Sequence, residues 1–195
     1  DTAQPIFADR TKSPHLLVAG MTGAGKSKSG LVPYALASWG VGIHVVLING
    51  KGNDFTAMQG RPNFTVFPAM PKEKMLEPLA RFMTNVEREV DRRDMVLSRA
   101  NVQNWYELPD SYGESGEVVI VIDEMLSIVR AARKSVQFAR LDENTTKEDA
   151  NLIEQQVLSL WYHIANITGE ARKFGIYLCF SLTDPTRDEL GKELM

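Results

Sequence analysis

The sequence predicts an α/β fold built on a mainly parallel sheet with flanking helices. Three observations lead there. Short apolar runs alternate with longer stretches of helical period. Most of those runs are apolar at every position, as strands buried on both faces should be. A glycine-rich turn follows the first run directly and opens into helix-forming sequence. The composition suits this fold: 195 residues, 44% hydrophobic and 24% charged, are enough for one domain with a full core.

Taken in order, the first strand is expected at 15–19 (HLLVA), followed by the turn GMTGAGKS and a helix over 26–39. Strands follow at 43–48 (IHVVLI) and 64–67 (FTVF), then a long helix over 72–100. The run 118–122 (VVIVI) is the next strand, with helices over 124–138 and 146–167 and a last strand at 176–181 (IYLCFS). Pro33 and Pro78 fall inside the first two helices. Each predicts a kink or a late helix start, because proline lacks the N–H and crowds the preceding turn. Segments 108–117 and 139–149 read as polar loops.

Composition also excludes some functions. A net charge of −3 argues against a protein that coats nucleic acid through a broad basic face, though a few loops inside a ring could still touch it. The single cysteine, Cys179, cannot form an internal disulfide and sits in an apolar run, so a packed thiol and a reducing compartment are expected. No apolar run approaches the about 20 residues that span a bilayer, so a soluble chain is expected. His15, His44 and His163 lack metal-ligand spacing, and Trp39, Trp105 and Trp161 read as packing anchors.

Chemistry enters at the turn. Gly20, Gly25, Lys26 and Ser27 satisfy G-x-x-x-x-G-K-[S/T] between a strand and a helix, the setting of a phosphate-binding loop. Glycines let the backbone wrap a phosphate with its N–H groups inward, and the helix N-terminus adds partial positive charge. Thr22, Gly23, Ala24 and Lys28 complete the expected nucleotide-binding set. Lys26 is placed for the β- and γ-phosphates of ATP and the Ser27 hydroxyl for Mg²⁺.

The second element is VVIVIDE, 118–124. A buried strand ending in an acid delivers a carboxylate to the metal side of the site, so Asp123 is expected to hold Mg²⁺ and Glu124 to orient the attacking water. The same pair also reads as a helix cap with an acid in the first turn. Hydrolytic sites with this adjacent glutamate insert a strand between the phosphate-loop strand and the acidic strand, and 176–181 is the candidate. Its end places Ser181 and Thr183 as candidate sensors of the γ-phosphate, or as plain strand-end polar residues.

At these residues the chain resembles the FtsK/SpoIIIE family of DNA translocases. PHLLVAGMTGAGKS, the helix-and-turn segment VEREVDRRDMVLSRANVQNWYEL, VVIVIDEM and EARKFGIYLCFSLTDPT carry the likeness. It implies a RecA-like P-loop NTPase of the additional-strand, catalytic-glutamate type. It further implies Mg²⁺·ATP hydrolysis that moves double-stranded DNA, and a homohexamer. The whole of 1–195 then forms one motor core, part of a larger protein anchored at the cytoplasmic face of the cell membrane. Arg172 is implied as an arginine finger for a neighbouring subunit, against the alternative of a helix-end arginine. The paired arginines of EREVDRRD read as a solvated, salt-bridged face. Arg130, Arg133 and Lys134 read either as helix-surface charge or as facing a pore.

The chain also departs from the family. Leu182, Thr183, Asp184 and Pro185 stand where the family has threonine-glutamine-arginine-proline, and only Lys51 remains of its usual second-strand pattern, with Asn49 in place of an acid. Two alternatives therefore stay open. One is a related ATPase that powers type VII-like protein secretion, and the other is a degenerate subunit that binds ATP as a structural module.

Overall fold

A computed structural model describes residues 15–21, 23–50, 55–67, 70–113, 116–139 and 147–183. Among these residues, five parallel strands form one sheet: β1 (Leu16–Gly20), β2 (His44–Asn49), β3 (Phe64–Val66), β4 (Val118–Asp123) and β5 (Ile176–Thr183). Their spatial order is β1-β5-β4-β2-β3, so the last strand does insert between the first and the acidic strand. Register aligns Gly20 with Thr183 and Asn49 with Asp123. The carboxyl ends of β1, β5, β4 and β2 thus meet along one edge, where open α/β sheets bind ligands.

Among the described residues, the two faces of the sheet carry different helices. Helix α1 (Val32–Gly40) lies on one face, where Leu31 and Ala35 pack with Val45, Leu47, Val119, Val121, Tyr177 and Cys179. On the other face, Val46, Ile48, Ile120, Ile122 and Leu178 meet α2 (Leu76–Ala100), α3 (Met125–Ala139) and α4 (Lys147–Glu170). Both prolines sit near helix starts, as a missing N–H allows. Pro33 follows a π-helical segment, Lys26–Leu31, and Pro78 lies in the first turn of α2. Cys179 is buried, and desolvation, with the Asp123 charge behind it, pushes its thiol up to about 12.

The histidines are structural here. His15 Nδ1 accepts the Leu178 N–H at 3.0 Å, and burial lowers its pKa. His44 Nε2 lies 2.9 Å from Thr65 Oγ1. His163 joins α4 to α2, with Nδ1 2.7 Å from Glu87 and Nε2 3.0 Å from Ser159 Oγ.

One expectation fails. The helix α2 is a solvated, salt-bridged face at Glu89 and Arg92, but not at Arg93, which is 1% exposed. The reason is register. Leu79, Met83, Val86, Val90, Arg93 and Leu97 recur at alternating spacings of four and three, which places Arg93 on the buried stripe. Its guanidinium donates to Phe174 O at 2.7 Å, Gly116 O at 3.0 Å and Glu89 Oε1 at 2.8 Å, and stacks 4.1 Å from the Trp105 ring centroid. The planar fork suits this buried post, because each of its three nitrogens donates to an oxygen while the face meets indole.

Arg92, against partial burial and with help from Arg93, holds the Glu89 carboxyl down at about 2. A depressed carboxyl contributes its stability above the unfolded value near 4.5 and loses it as pH falls toward 2. The cluster is therefore fully charged at neutral pH.

Removing the guanidinium takes a donor from the buried Phe174 carbonyl and a tie from the exposed Gly116 carbonyl. Arg93→Met should lower stability by about 2–4 kcal/mol in urea denaturation, and Arg93→Lys should not restore it, because an ammonium cannot span both carbonyls and stack.

Candidate nucleotide site

The chain between β1 and α1 folds as a phosphate-binding loop requires. Gly25 caps the following helix at φ +80°, in the left-handed region where a side chain is strained. Lys26 is buried, and its Nζ donates to the loop's own carbonyls, Gly20 O at 2.6 Å and Met21 O at 3.0 Å. Gly23, Ala24 and Lys28 are exposed at the rim, and Ser27 is half-buried below it. Thr22 lies outside the described residues, as do Lys51, Asp184 and Pro185.

Across from the loop, β4 ends in Asp123, which is 1% exposed. Its Oδ2 accepts the Ser27 hydroxyl at 2.7 Å, and its Oδ1 accepts the Ser181 hydroxyl. Glu124 follows at φ +54° and precedes the first residue of α3. That left-handed turn carries its carboxylate to the Thr183 hydroxyl, which donates to Oε1, and to within 4.0 Å of Lys26 Nζ. The simple helix-cap reading of the pair does not describe this geometry. Both carboxylates face the phosphate loop.

Gly50 supports the turn from β2, and the sequence pattern did not single it out. Its N–H donates to Asp123 O at 3.0 Å, and a Cβ there would stand 2.9 Å from the carbonyl oxygens of Asp123 and Glu124. The only hint was a glycine directly after a buried strand, where a close backbone approach is common. Lys72, beside the start of α3, donates to Ser127 Oγ at 2.8 Å.

The donor set fits a magnesium nucleotide. Mg²⁺ prefers oxygen ligands and keeps several waters beside one or two protein oxygens and phosphates. The Ser27 hydroxyl and Asp123 Oδ2 offer such a pair, next to a lysine and a loop shaped for phosphate. Among the described residues, no group of three or more His, Cys, Asp or Glu could hold a metal.

Arg172 is the predicted residue that the fold does not bring to this edge. It is exposed on the short turn Ala171–Phe174 before β5, at the opposite end of the strand from the phosphate loop. Eight residues of strand span roughly 26 Å, beyond the reach of one side chain. Arg172 cannot serve the site of its own chain.

Comparison with known proteins agrees with this arrangement. The FtsK/SpoIIIE family model matches residues 2–173. The chain belongs to this family. FtsK/SpoIIIE relatives include the DNA translocase FtsK of Staphylococcus epidermidis, 25% identical over 96% of this chain and 22% of that protein. The DNA translocase FtsK of Campylobacter jejuni is 29% identical over 68% of this chain and 14% of that protein. The chain therefore spans about a seventh to a fifth of the length of these curated relatives. Among solved structures, the pCW3 conjugation coupling protein TcpA, a monomer with ATPγS, is similar at a TM-score of 0.67 and 18% identity, over 96% of this chain and 47% of that one. The type VII secretion ATPase EccC of Thermomonospora curvata is similar at 0.60 and 21% identity, over 93% of this chain and 19% of that one. The shared fold is that of RecA-like P-loop ATPases.

The two sides of the site separate by calorimetry. Lys26→Ala should weaken ATP binding about 10–100-fold, the worth of one charge-assisted contact, whereas Glu124→Gln should bind ATP as the native protein does. Undiminished binding by Lys26→Ala would remove the loop from the nucleotide site.

Proposed function

We propose that this chain is the motor core of an ATP-driven translocase of double-stranded DNA, working as a homohexamer. The observation that carries the hydrolytic part is the convergence of Ser27, Asp123, Glu124 and Lys26 at one sheet edge. Family membership and the FtsK relatives support DNA as the substrate. On this reading the complete protein is anchored at the cytoplasmic face of the cell membrane through parts outside this chain, and serves conjugative transfer or chromosome or plasmid segregation. No helix among the described residues is long and apolar enough to cross a membrane.

In the reaction, loop N–H groups and Lys26 would hold the ATP phosphates, and Ser27 and Asp123 would hold Mg²⁺. Held there, Mg²⁺ would supply neutralisation of the charge that develops on the phosphate oxygens. Glu124 accepts a proton from the water that attacks the γ-phosphorus, as the bond to the bridging oxygen breaks and ADP leaves. Thr183 holds the Glu124 carboxylate from the strand end and takes the place of the γ-phosphate sensor. Arg172 stabilises the transferring phosphoryl group of the next subunit, since its own site is a strand's length away.

A second reading, a motor that moves secreted protein, is favoured by the likeness to EccC. Stimulation of hydrolysis by peptide rather than DNA would mark it. A subunit that only binds ATP would show affinity without turnover.

Glu124→Gln should slow hydrolysis about 10²–10⁴-fold, the range for losing a positioned base, and normal turnover would reduce Glu124 to a helix-start acid. Arg172→Ala should abolish turnover while keeping ATP binding. Mixing Arg172→Ala with Lys26→Ala should recover part of the activity, because each variant supplies what the other lacks across an interface. Full activity of a monomeric Arg172→Ala protein would remove the finger.

A further inference from the structure

Ser181 has a particular place beside the two carboxylates. It is 0% exposed, donates its hydroxyl proton to Asp123 Oδ1 and accepts the Glu124 N–H at 2.9 Å. A serine hydroxyl has one proton to give, so the donor direction is committed to Asp123. With Oδ1 engaged, the carboxylate plane is set and Oδ2 is the oxygen presented to Ser27. The second bond reaches the backbone of Glu124, at a φ of +54° that residues other than glycine rarely adopt. Holding that N–H holds the turn, and the turn aims the carboxylate at Lys26 and Thr183.

The strand explains why one residue can do both. Side chains alternate along β5, so Ser181 and Thr183 share the face turned toward Asp123 and Glu124, while Leu182 between them packs in the opposite core. Insertion of β5 beside β4 then brings this face against the end of the acidic strand.

We infer that Ser181 is a positioning residue for hydrolysis, its single hydroxyl orienting the metal-side carboxylate of Asp123 and the backbone turn that aims Glu124. The inference rests on the ATPase reading above. It assigns Ser181 a role separate from phosphate contact: the residue acts on two carboxylates, and ATP need not touch it. Hydrogen-bond partners behind a metal ligand change affinity or activity by about 10–100-fold when removed.

The test uses the complete protein with ATP, Mg²⁺ and a fluorescent ATP analogue. Ser181→Ala should lower kcat about 10–100-fold with little change in KM. It should also raise, by a factor of the same order, the Mg²⁺ concentration needed to tighten analogue binding, leaving metal-free binding unchanged. Ser181→Thr keeps the hydroxyl and should recover most of both losses. Ser181→Cys, near serine in size but a weak donor, should move in the same direction as alanine and stands in for it if alanine does not fold. Native kcat and Mg²⁺ dependence in the alanine or cysteine variant would overturn the positioning role and leave the ATPase reading intact. Equal losses in Ser181→Ala and Ser181→Thr would also overturn it, since packing rather than the hydroxyl would then be at fault. A native protein that binds no ATP would overturn the ATPase reading and this role together.

Discussion

A carboxylate at the end of a central strand, almost wholly removed from water, must find its hydrogen-bond partners inside the protein. Asp123 is that group, and most of the local architecture follows from satisfying it. One oxygen takes the Ser27 hydroxyl, which requires the phosphate loop to close toward β4. The other takes the Ser181 hydroxyl, which requires β5 to lie between β1 and β4 and to run past the end of β4. Gly50 completes the arrangement from β2, because only a residue without a side chain can approach the carbonyls of Asp123 and Glu124 so closely. Three strand ends and a loop are thus tied to one buried charge.

The opposite edge of the sheet is organised by a second buried charge. Arg93 gathers Phe174 O and Gly116 O, the approaches to β5 and β4, and stacks on Trp105. Arg172 stands two residues before Phe174, so its backbone is set by the same cluster that fixes where β5 begins. Chemistry and the proposed subunit contact therefore sit at opposite ends of one strand.

Much of the fold is legible in the sequence, for a simple reason. Parallel strands buried on both faces must be apolar throughout, so HVVLI, VVIVI and IYLCF announce themselves, and the glycines of the phosphate loop mark the turn that joins strand to helix. Placing β5 between β1 and β4 needed the extra argument that a glutamate follows the metal-side aspartate. What sequence reading misjudged were polar residues whose partners come from elsewhere in the chain. Arg93 looked solvated because EREVDRRD supplies opposite charges at helix spacing, and its burial shows only once the stripe through Leu79, Val86 and Leu97 is followed in register. The left-handed backbone of Glu124 carries no local signature, since glutamate does not favour it. Its backbone partner is tertiary: the N–H bonds to Ser181, 57 positions away.

On the proposed reading, this site hydrolyses ATP to move double-stranded DNA. That reading is tested most directly by the steady-state ATPase rate of the complete protein with and without duplex DNA, at matched salt and Mg²⁺. Turnover should rise several-fold with duplex DNA, fall again as salt screens phosphate contacts, and not respond to peptide. Turnover indifferent to DNA but raised by peptide, or ATP bound tightly with no turnover under any condition, would contradict that reading.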